Sequence, residues 1–406
     1  MKIFWCYIFV MENTIIFEKN AISKLCDELK SYNKIYIITS PTPKSKFLGI
    51  ISNLLNERNK TFWVHTLPKN ATCSKDNILL ATSKVKSANV IVALGAGTVC
   101  DISKIVGERV DLPVFIVPTT ITHYGIFNNI SYITSPSPEI VRTNYPKKVY
   151  IDESIIEKSP EKFIHSALSF AISLSEQSFS LLVQEKLLSN VKTNLFDLDT
   201  KIKKIEELTG WLSLSKSFAV LNLMDYIYDL FVILNDNYIT SSICYALMIS
   251  SSTLKNNFGE KCLLCSKVLL RVFSEFFEQK TIIPKDIPDR EKILFLLGKQ
   301  PVTGNLSSAT DYKKVFENYI KTTDNLLSTS IQLSFKQNKL KFQEKCLEKE
   351  IFISKFLNKF RLINSDLNEI RMIDENQLFS NLELLPIQFK NLLPRIISRF
   401  GFLNVI

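Results

Sequence analysis

The sequence predicts an α/β N-terminal domain built on a parallel sheet, followed by an all-α C-terminal domain. Three observations lead there. Over the first 160 residues, short β-branched runs alternate with helix-patterned segments. One of those runs ends in a glycine-containing corner that opens a helix. After Pro160 the strand punctuation stops and helical periodicity takes over.

The elements follow in order. "KIYIIT" (34–39) is a first strand-like run, closed by the turn "SPTPKS". "KFLGIISNLLNERN" has the apolar spacing of a helix, and "TFWVHT" (61–66) is the next strand. "NVIVAL" (89–94), "PVFIV" (113–117) and "KVYI" (148–151) complete the set. Runs that are apolar throughout, separated by helices, indicate a parallel sheet covered on both faces. Beyond Pro160, "FIHSALSFAISLSEQSFSLLVQEKLL", "SFAVLNLMDYIYDLFVIL", "SSICYALMISSSTL" and "EKCLLCSKVLLRVF" all have helical patterning, as do the Lys- and Leu-rich last hundred residues. The expected organisation is an extension over residues 1–10 ahead of Met11, an α/β nucleotide-binding domain over 11–160, and a helical domain over 161–406, with a cleft between the domains.

Composition narrows the function classes. With 46% hydrophobic and 22% charged residues in 406, the chain can bury a large core, and disorder is excluded. The formal charge of +10 comes from lysines spread everywhere, with no RNA-binding or helix-turn-helix signature, so no nucleic-acid partner is expected. The eight cysteines are scattered. Cys262 and Cys265 form a lone C-x-x-C without the second pair a zinc ribbon needs, so a reduced, cytoplasmic protein is expected. "MKIFWCYIFV" is too short to span a bilayer and lacks a small-residue cleavage site, and no other run is long enough, so no membrane association is expected.

The glycines locate the chemistry. Only 10 occur in the chain, and Gly95, Gly97, Gly107 and Gly125 fall in one short segment. Gly95, Ala96, Gly97 and Thr98 form a corner directly after a strand and before a helix. Glycines there allow positive φ and a close approach to a ligand, and the helix N-terminus presents free N–H groups to a phosphate. Thr98 adds a hydroxyl. Asp101 is expected on the first helical turn, where a carboxylate suits the dipole. Lys104, one turn further, could reach a phosphate, pair with Asp101, or be a solvated helix lysine. In "VPTT", Pro118 is expected to end strand pairing, leaving Thr119 and Thr120 at the same carboxyl edge as the glycine loop.

Taken together, "GAGTVCDISK", "DLPVFIVPTT" and "THYGIFNNISYI" resemble the sn-glycerol-1-phosphate dehydrogenase family. That family belongs to the superfamily of iron-containing alcohol dehydrogenases, glycerol dehydrogenase and dehydroquinate synthase. The resemblance runs from about Met11 to Pro160. It implies a dehydroquinate synthase-like architecture, with NAD or NADP on Gly95, Ala96, Gly97, Thr98, Asp101, Thr119 and Thr120. It also implies a small polyol or ketose phosphate as substrate and admits a homo-oligomer. Relatives often have an acidic residue where Ser40 ends the first strand, so NAD and NADP both stay open. Relatives also hold zinc or iron, through an Asp before the motif glycine and two histidines of the helical domain; the metal polarises the substrate oxygen. Here the Asp position is Tyr124, and the only histidines are His65, His123 and His165. A neutral phenol is a poor ligand for such a cation. No metal is therefore expected, although Asp225 and Asp229 lie near one lost position. His123, Tyr124 and Lys104 become the catalytic candidates. The alternatives are a non-catalytic nucleotide-binding relative with a scaffold or regulatory role, and a dehydroquinate synthase-like lyase.

Overall fold

The computed structural model describes residues 14–120, 124–133, 139–188, 258–278 and 329–359, with single residues 200, 203, 204, 207, 222, 223 and 226. The chain divides into two compact units, Met1–Ile164 with Trp211–Tyr228, and His165–Gly210 with Asp229–Ile406.

The first unit is a doubly wound parallel sheet. Its strands are β1 (Ile15–Glu18), β2 (Lys34–Thr39), β3 (Thr61–Thr66), β4 (Val90–Gly95), β5 (Val114–Pro118) and, after a separate hairpin, β8 (Lys148–Asp152). Six strands lie in the order β1-β8-β5-β4-β2-β3, and every pairing is parallel. The hairpin joins β6 (Ile130–Ile133) to β7 (Glu139–Arg142) and is antiparallel. Neither β1 nor the hairpin is evident from the sequence pattern, because each has only four residues. The other strands fall within one residue of the sequence expectation.

Alternation within each apolar run distributes side chains to two covered faces. Ile35, Ile37, Val90, Val92, Leu94, Phe115, Val117 and Tyr150 share one buried cluster with α1 (Ala21–Glu28) and α2. Helix α2 starts at Pro41–Pro43, passes through a π segment Lys44–Leu48 and continues as Gly49–Glu57. The opposite face is covered by α3 (Lys75–Ser83) and α4 (Gly97–Val110), which pack together. Tyr36, the neighbour of Ile35 and Ile37, shows this by donating its hydroxyl hydrogen to Ala81 O at 2.9 Å on α3. After β8, the short α5 (Glu153–Ile156) is capped by the Asp152 carboxylate.

The second unit is described through three long helices, α6 (Glu161–Leu188), α7 (Phe258–Glu278) and α8 (Thr329–Lys359). They bear out the helical patterning of "FIHSALSFAISLSEQSFSLLVQEKLL" and "EKCLLCSKVLLRVF". "SFAVLNLMDYIYDLFVIL" and "SSICYALMISSSTL" lie outside the described residues, apart from Asn222, Leu223 and Tyr226. Helices α6 and α7 approach closely at Gly259, whose N–H donates to Ser166 Oγ at 3.1 Å. Phe277 packs against Phe335 and Phe342 of α8. Cys26, Cys73, Cys100, Cys262, Cys265 and Cys346 are all buried and form no disulfide. Among the described residues no helix is long and apolar enough to cross a membrane.

Candidate functional site

The sheet order fixes where a ligand can sit. The chain leaving β2 turns toward β3, and the chain leaving β4 turns toward β5, so the two connections diverge. The crevice between them, outside the carboxyl ends of β2 and β4, is the topological switch point, where doubly wound sheets bind ligands. Thr39 pairs with Leu94 at this edge, which puts Gly95 and Ser40 at its rim.

Gly95 ends β4 and Gly97 begins α4. Ala96 is the N-cap, in an extended conformation, and its side chain makes no capping bond. The first-turn N–H groups of α4 therefore lack a side-chain acceptor, which is the arrangement an anion uses. Ala96, Gly97 and Thr98 are half-buried at this edge. The reason for glycine at 95 differs from the expectation. Its φ lies outside the left-handed region, and a Cβ would meet Val99 Cγ2 at 2.6 Å. Absence of a side chain lets the first turn of α4 fold tightly against the end of β4.

Pro118 does not end strand pairing. It stays in register with Gly95, and Thr119 N donates to Gly95 O at 3.1 Å. Proline lacks only its own N–H, so contact resumes at the next residue. Thr119 and Thr120 are both buried at this edge, and Thr120 Oγ1 has no hydrogen-bond partner among the described residues. An orphaned buried hydroxyl beside a helix N-terminus fits a ligand with polar oxygens. The sequence-predicted cofactor residues are thus brought together, except Asp101.

Asp101 is not on the first turn. Helix α4 starts at Gly97, so Asp101 is its fifth residue and faces inward, 6% exposed. Burial pushes its carboxyl up from 3.8 to about 6, and the neighbouring Lys104 offsets part of that rise. Lys104 is not solvated either; it is 1% exposed. Its ammonium donates to Gly125 O at 2.8 Å, to Asn128 O at 3.3 Å and to Ile130 O, and lies 3.7 Å from Asp101 Oδ1. Burial holds its pKa down, and Asp101 pulls it back up. Asn128 completes the turn by accepting from Ile130 N at 2.9 Å through Oδ1. Lys104 therefore ties the 3-10 turn Tyr124–Ile126 and the start of β6 onto α4.

Tyr124 opens that turn, immediately before Gly125, whose carbonyl Lys104 holds. His123, Asp225 and Asp229 lie outside the described residues. His65 is remote from the motif turn. It is buried in β3, stacked on Tyr36 at 6.4 Å, and burial lowers its pKa. His165 lies within α6. Among the described residues no cluster of three His, Cys, Asp or Glu could hold a metal ion. Sequence reasoning missed Asn128, and it missed a groove lined by Lys44 and Thr66 at the ends of β2 and β3. The "NN" pair in the turn was the one available signal for the first.

The fold and this edge define a doubly wound domain with a crevice at its switch point. Residues 16–160 match the family of iron-containing alcohol dehydrogenases. A glycerol-1-phosphate dehydrogenase [NAD(P)+] of Archaeoglobus fulgidus is 27% identical over 157 residues, covering 38% of this chain and 44% of the relative. That of Methanococcus maripaludis is 26% identical over 223 residues, 54% of this chain and 56% of the relative. The chain thus spans about half the length of the curated relatives it matches. Over nearly the full length the fold is shared with solved structures. An archaeal halo-thermophilic alcohol dehydrogenase from a Red Sea brine pool superposes with TM-score 0.61 at 13% identity, covering 97% of both chains. NADH-dependent butanol dehydrogenase A of Thermotoga maritima gives 0.57 at 14% identity, covering 96% of both. Residues 16–160 are thus similar in sequence to the iron-containing alcohol dehydrogenases, and the chain shares their dehydroquinate synthase-like fold.

Proposed function

We propose that this chain is an NAD(P)-dependent oxidoreductase related to glycerol-1-phosphate dehydrogenase, acting on a small polyol or ketose phosphate without the metal its relatives use. The observation that supports it most is the switch-point edge. There an uncapped helix N-terminus, the Gly95–Thr98 corner and the buried Thr120 hydroxyl lie along one carboxyl edge of the sheet. When bound, NAD(P)H supplies a hydride to the carbonyl carbon of the substrate. The first-turn N–H groups of α4 bind the pyrophosphate, and Thr119 and Thr120 orient the neighbouring part of the cofactor. A proton must reach the carbonyl oxygen, and His123 or Tyr124 supplies it. Lys104 is a positioning residue here, since its ammonium is committed to three backbone carbonyls.

The donor set does not fit a divalent cation. Tyr124 stands where the resemblance places a carboxylate, and no histidine follows His165. The same residues favour a second reading, a cofactor-binding protein without turnover. One sample tests both. The purified full chain is titrated with NADH and NADPH, assayed with dihydroxyacetone phosphate, and analysed for metal. Saturable cofactor binding with reduction of the ketone, in protein free of zinc and iron, supports the proposal. Binding without turnover on any ketose phosphate favours the second reading. Absence of binding, or one tightly held zinc or iron per chain, overturns the proposal.

A further inference from the structure

Helix α8 carries two apolar patterns rather than one. Phe335, Phe342, Cys346, Ile353 and Phe356 are buried. The first three face α7, where Phe277 meets Phe335 and Phe342, and Cys346 donates its S–H to Leu270 O at 2.7 Å. Leu333, Leu340, Leu347 and Ile351 form the second pattern and are 56%, 73%, 54% and 49% exposed. At 3.6 residues per turn these four fall within roughly 40° of arc, in a stripe about 27 Å long. A single exposed leucine is ordinary, whereas an aligned row marks a contact surface. The leucines recur every seven residues, the repeat that a second helix packs against.

The edges of the stripe say what kind of partner fits. Lys336 and Glu350 follow one edge, and Glu344 borders the stripe between Leu340 and Leu347. Lys341, Glu348 and Lys355 follow the other edge. A face made for an anionic lipid surface is flanked by basic residues. Here acids and bases share both edges, as they do beside the seam of a helix pair. Glu348 is already paired with Lys345 on α8, but Lys336 and Glu350 form no ion pair among the described residues.

The pattern is also self-complementary, in one direction only. Two copies of α8 running the same way in register set Glu344 against Glu344 and Lys336 beside Lys341. Two copies running oppositely about the level of residue 342 avoid both clashes. Leu333 then meets the partner's Ile351, Leu340 meets the stem of the partner's Glu344, and Lys336 meets the partner's Glu350. Twofold symmetry makes each pairing occur twice. We propose that the stripe is the seam of a homodimer, covered by the antiparallel α8 of a second copy of this chain. The stripe alone is smaller than the roughly 800 Å² per partner of a standard interface, so the association is weak.

The test is analytical ultracentrifugation of the full chain from about 1 to about 100 µM, the range of a weak interface. The wild type is expected to move toward twice the monomer mass. Leu340→Glu should weaken self-association about a hundredfold, with unchanged circular dichroism, because two leucines per dimer lose their cover. Lys336→Glu and Glu350→Lys should each weaken it about tenfold. The double variant should recover wild-type affinity, since it exchanges the charges across both symmetric pairs. Oxidative cross-linking reads the direction: Leu333→Cys should give a disulfide-linked dimer only when combined with Ile351→Cys. A monomer at every concentration overturns the inference, as does self-association that Leu340→Glu leaves intact. Loss of helical signal in Leu340→Glu shows that the chain itself covers this face, and overturns it too. Cross-linking by Leu333→Cys alone, or a double charge variant no tighter than the singles, overturns the antiparallel seam.

Discussion

Replacing Lys104 by Met tests whether one buried cation holds the motif turn to α4. Met keeps most of the volume of the stem, so the change removes a charge and its donors rather than packing. The ammonium serves Gly125 O, Asn128 O and Ile130 O and faces Asp101 at 3.7 Å. A hydrogen bond to a charged group contributes about 1.5–3 kcal/mol net, so three set a ceiling of roughly 5–9 kcal/mol. Two effects lower it. Burial already opposes the charge on Lys104, as its depressed pKa shows, and that cost disappears with the charge. Asp101, with its carboxyl at about 6, takes up a proton more readily once its cation is gone. Removing one partner of a buried pair costs about 3–5 kcal/mol, and that is the expected loss. Urea unfolding of the full chain measures it, and hydrogen exchange across residues 124–133 shows whether the turn opens first. The double variant Lys104→Met/Asp101→Asn should cost less than the sum of the singles by more than about 0.5 kcal/mol. A loss under about 1 kcal/mol for Lys104→Met, or strict additivity, refutes the clamp.

Other outcomes follow from the same packing. Gly95→Ala should destabilise by about 1–3 kcal/mol, because its Cβ would lie 2.6 Å from Val99 Cγ2, and Val99→Ala should recover most of the loss in thermal unfolding. Gly259→Ala should be more severe, about 3 kcal/mol or more, since the added carbon would lie 1.7 Å from the backbone oxygen of Ser166; a wild-type unfolding curve for this variant would contradict the tight α6–α7 crossing. The Asp101 carboxyl is raised in the folded state from 3.8 to about 6, so between these values the folded chain binds the extra proton. Its contribution is therefore greatest below pH 4 and is lost as pH rises to 6. The stability of wild type relative to Asp101→Asn, followed by urea midpoints, should fall across that window; a flat difference would show that the carboxyl is not raised.

The parts of the fold legible in the sequence are those with long, uniform patterns. The four-to-six-residue apolar runs of β2, β4, β5 and β8 announce themselves because both faces of the sheet are covered. Their ends were less legible. Asp101 reads as a first-turn residue only if the helix starts later than Gly97, and Pro118 reads as a terminator only if its missing N–H is taken as the end of contact. Lys104 is legible only in part: its pairing with Asp101 is among the sequence readings, whereas its burial is not. A lysine between Asp101 and Gly107 has no sequence signal for burial, since its acceptors are carbonyls 21 to 26 residues away that any residue type would provide. The groove was illegible for a related reason: Lys44 and Thr66 line it together only because β2 and β3 lie side by side.

Helix α4 links these observations. Its N-terminus forms the Gly97 side of the corner, and its third turn supplies Lys104, which fixes the turn bearing Tyr124. Gly95 O accepts from Thr119 N, so the end of β5, from which that turn departs, is tied to the same corner. The Gly95–Thr98 corner and the turn bearing Tyr124 are thus set by one helix and one strand pair. A loss of geometry at Lys104 should therefore be felt at residues 123 and 124 before it is felt at Gly97. Turnover should then fall further than cofactor affinity in Lys104 variants, whereas Gly95 variants should lose affinity first. That opposite ordering, read from one titration and one rate per variant, separates a positioning lysine from a lysine that contacts the cofactor, for which affinity would fall first in both.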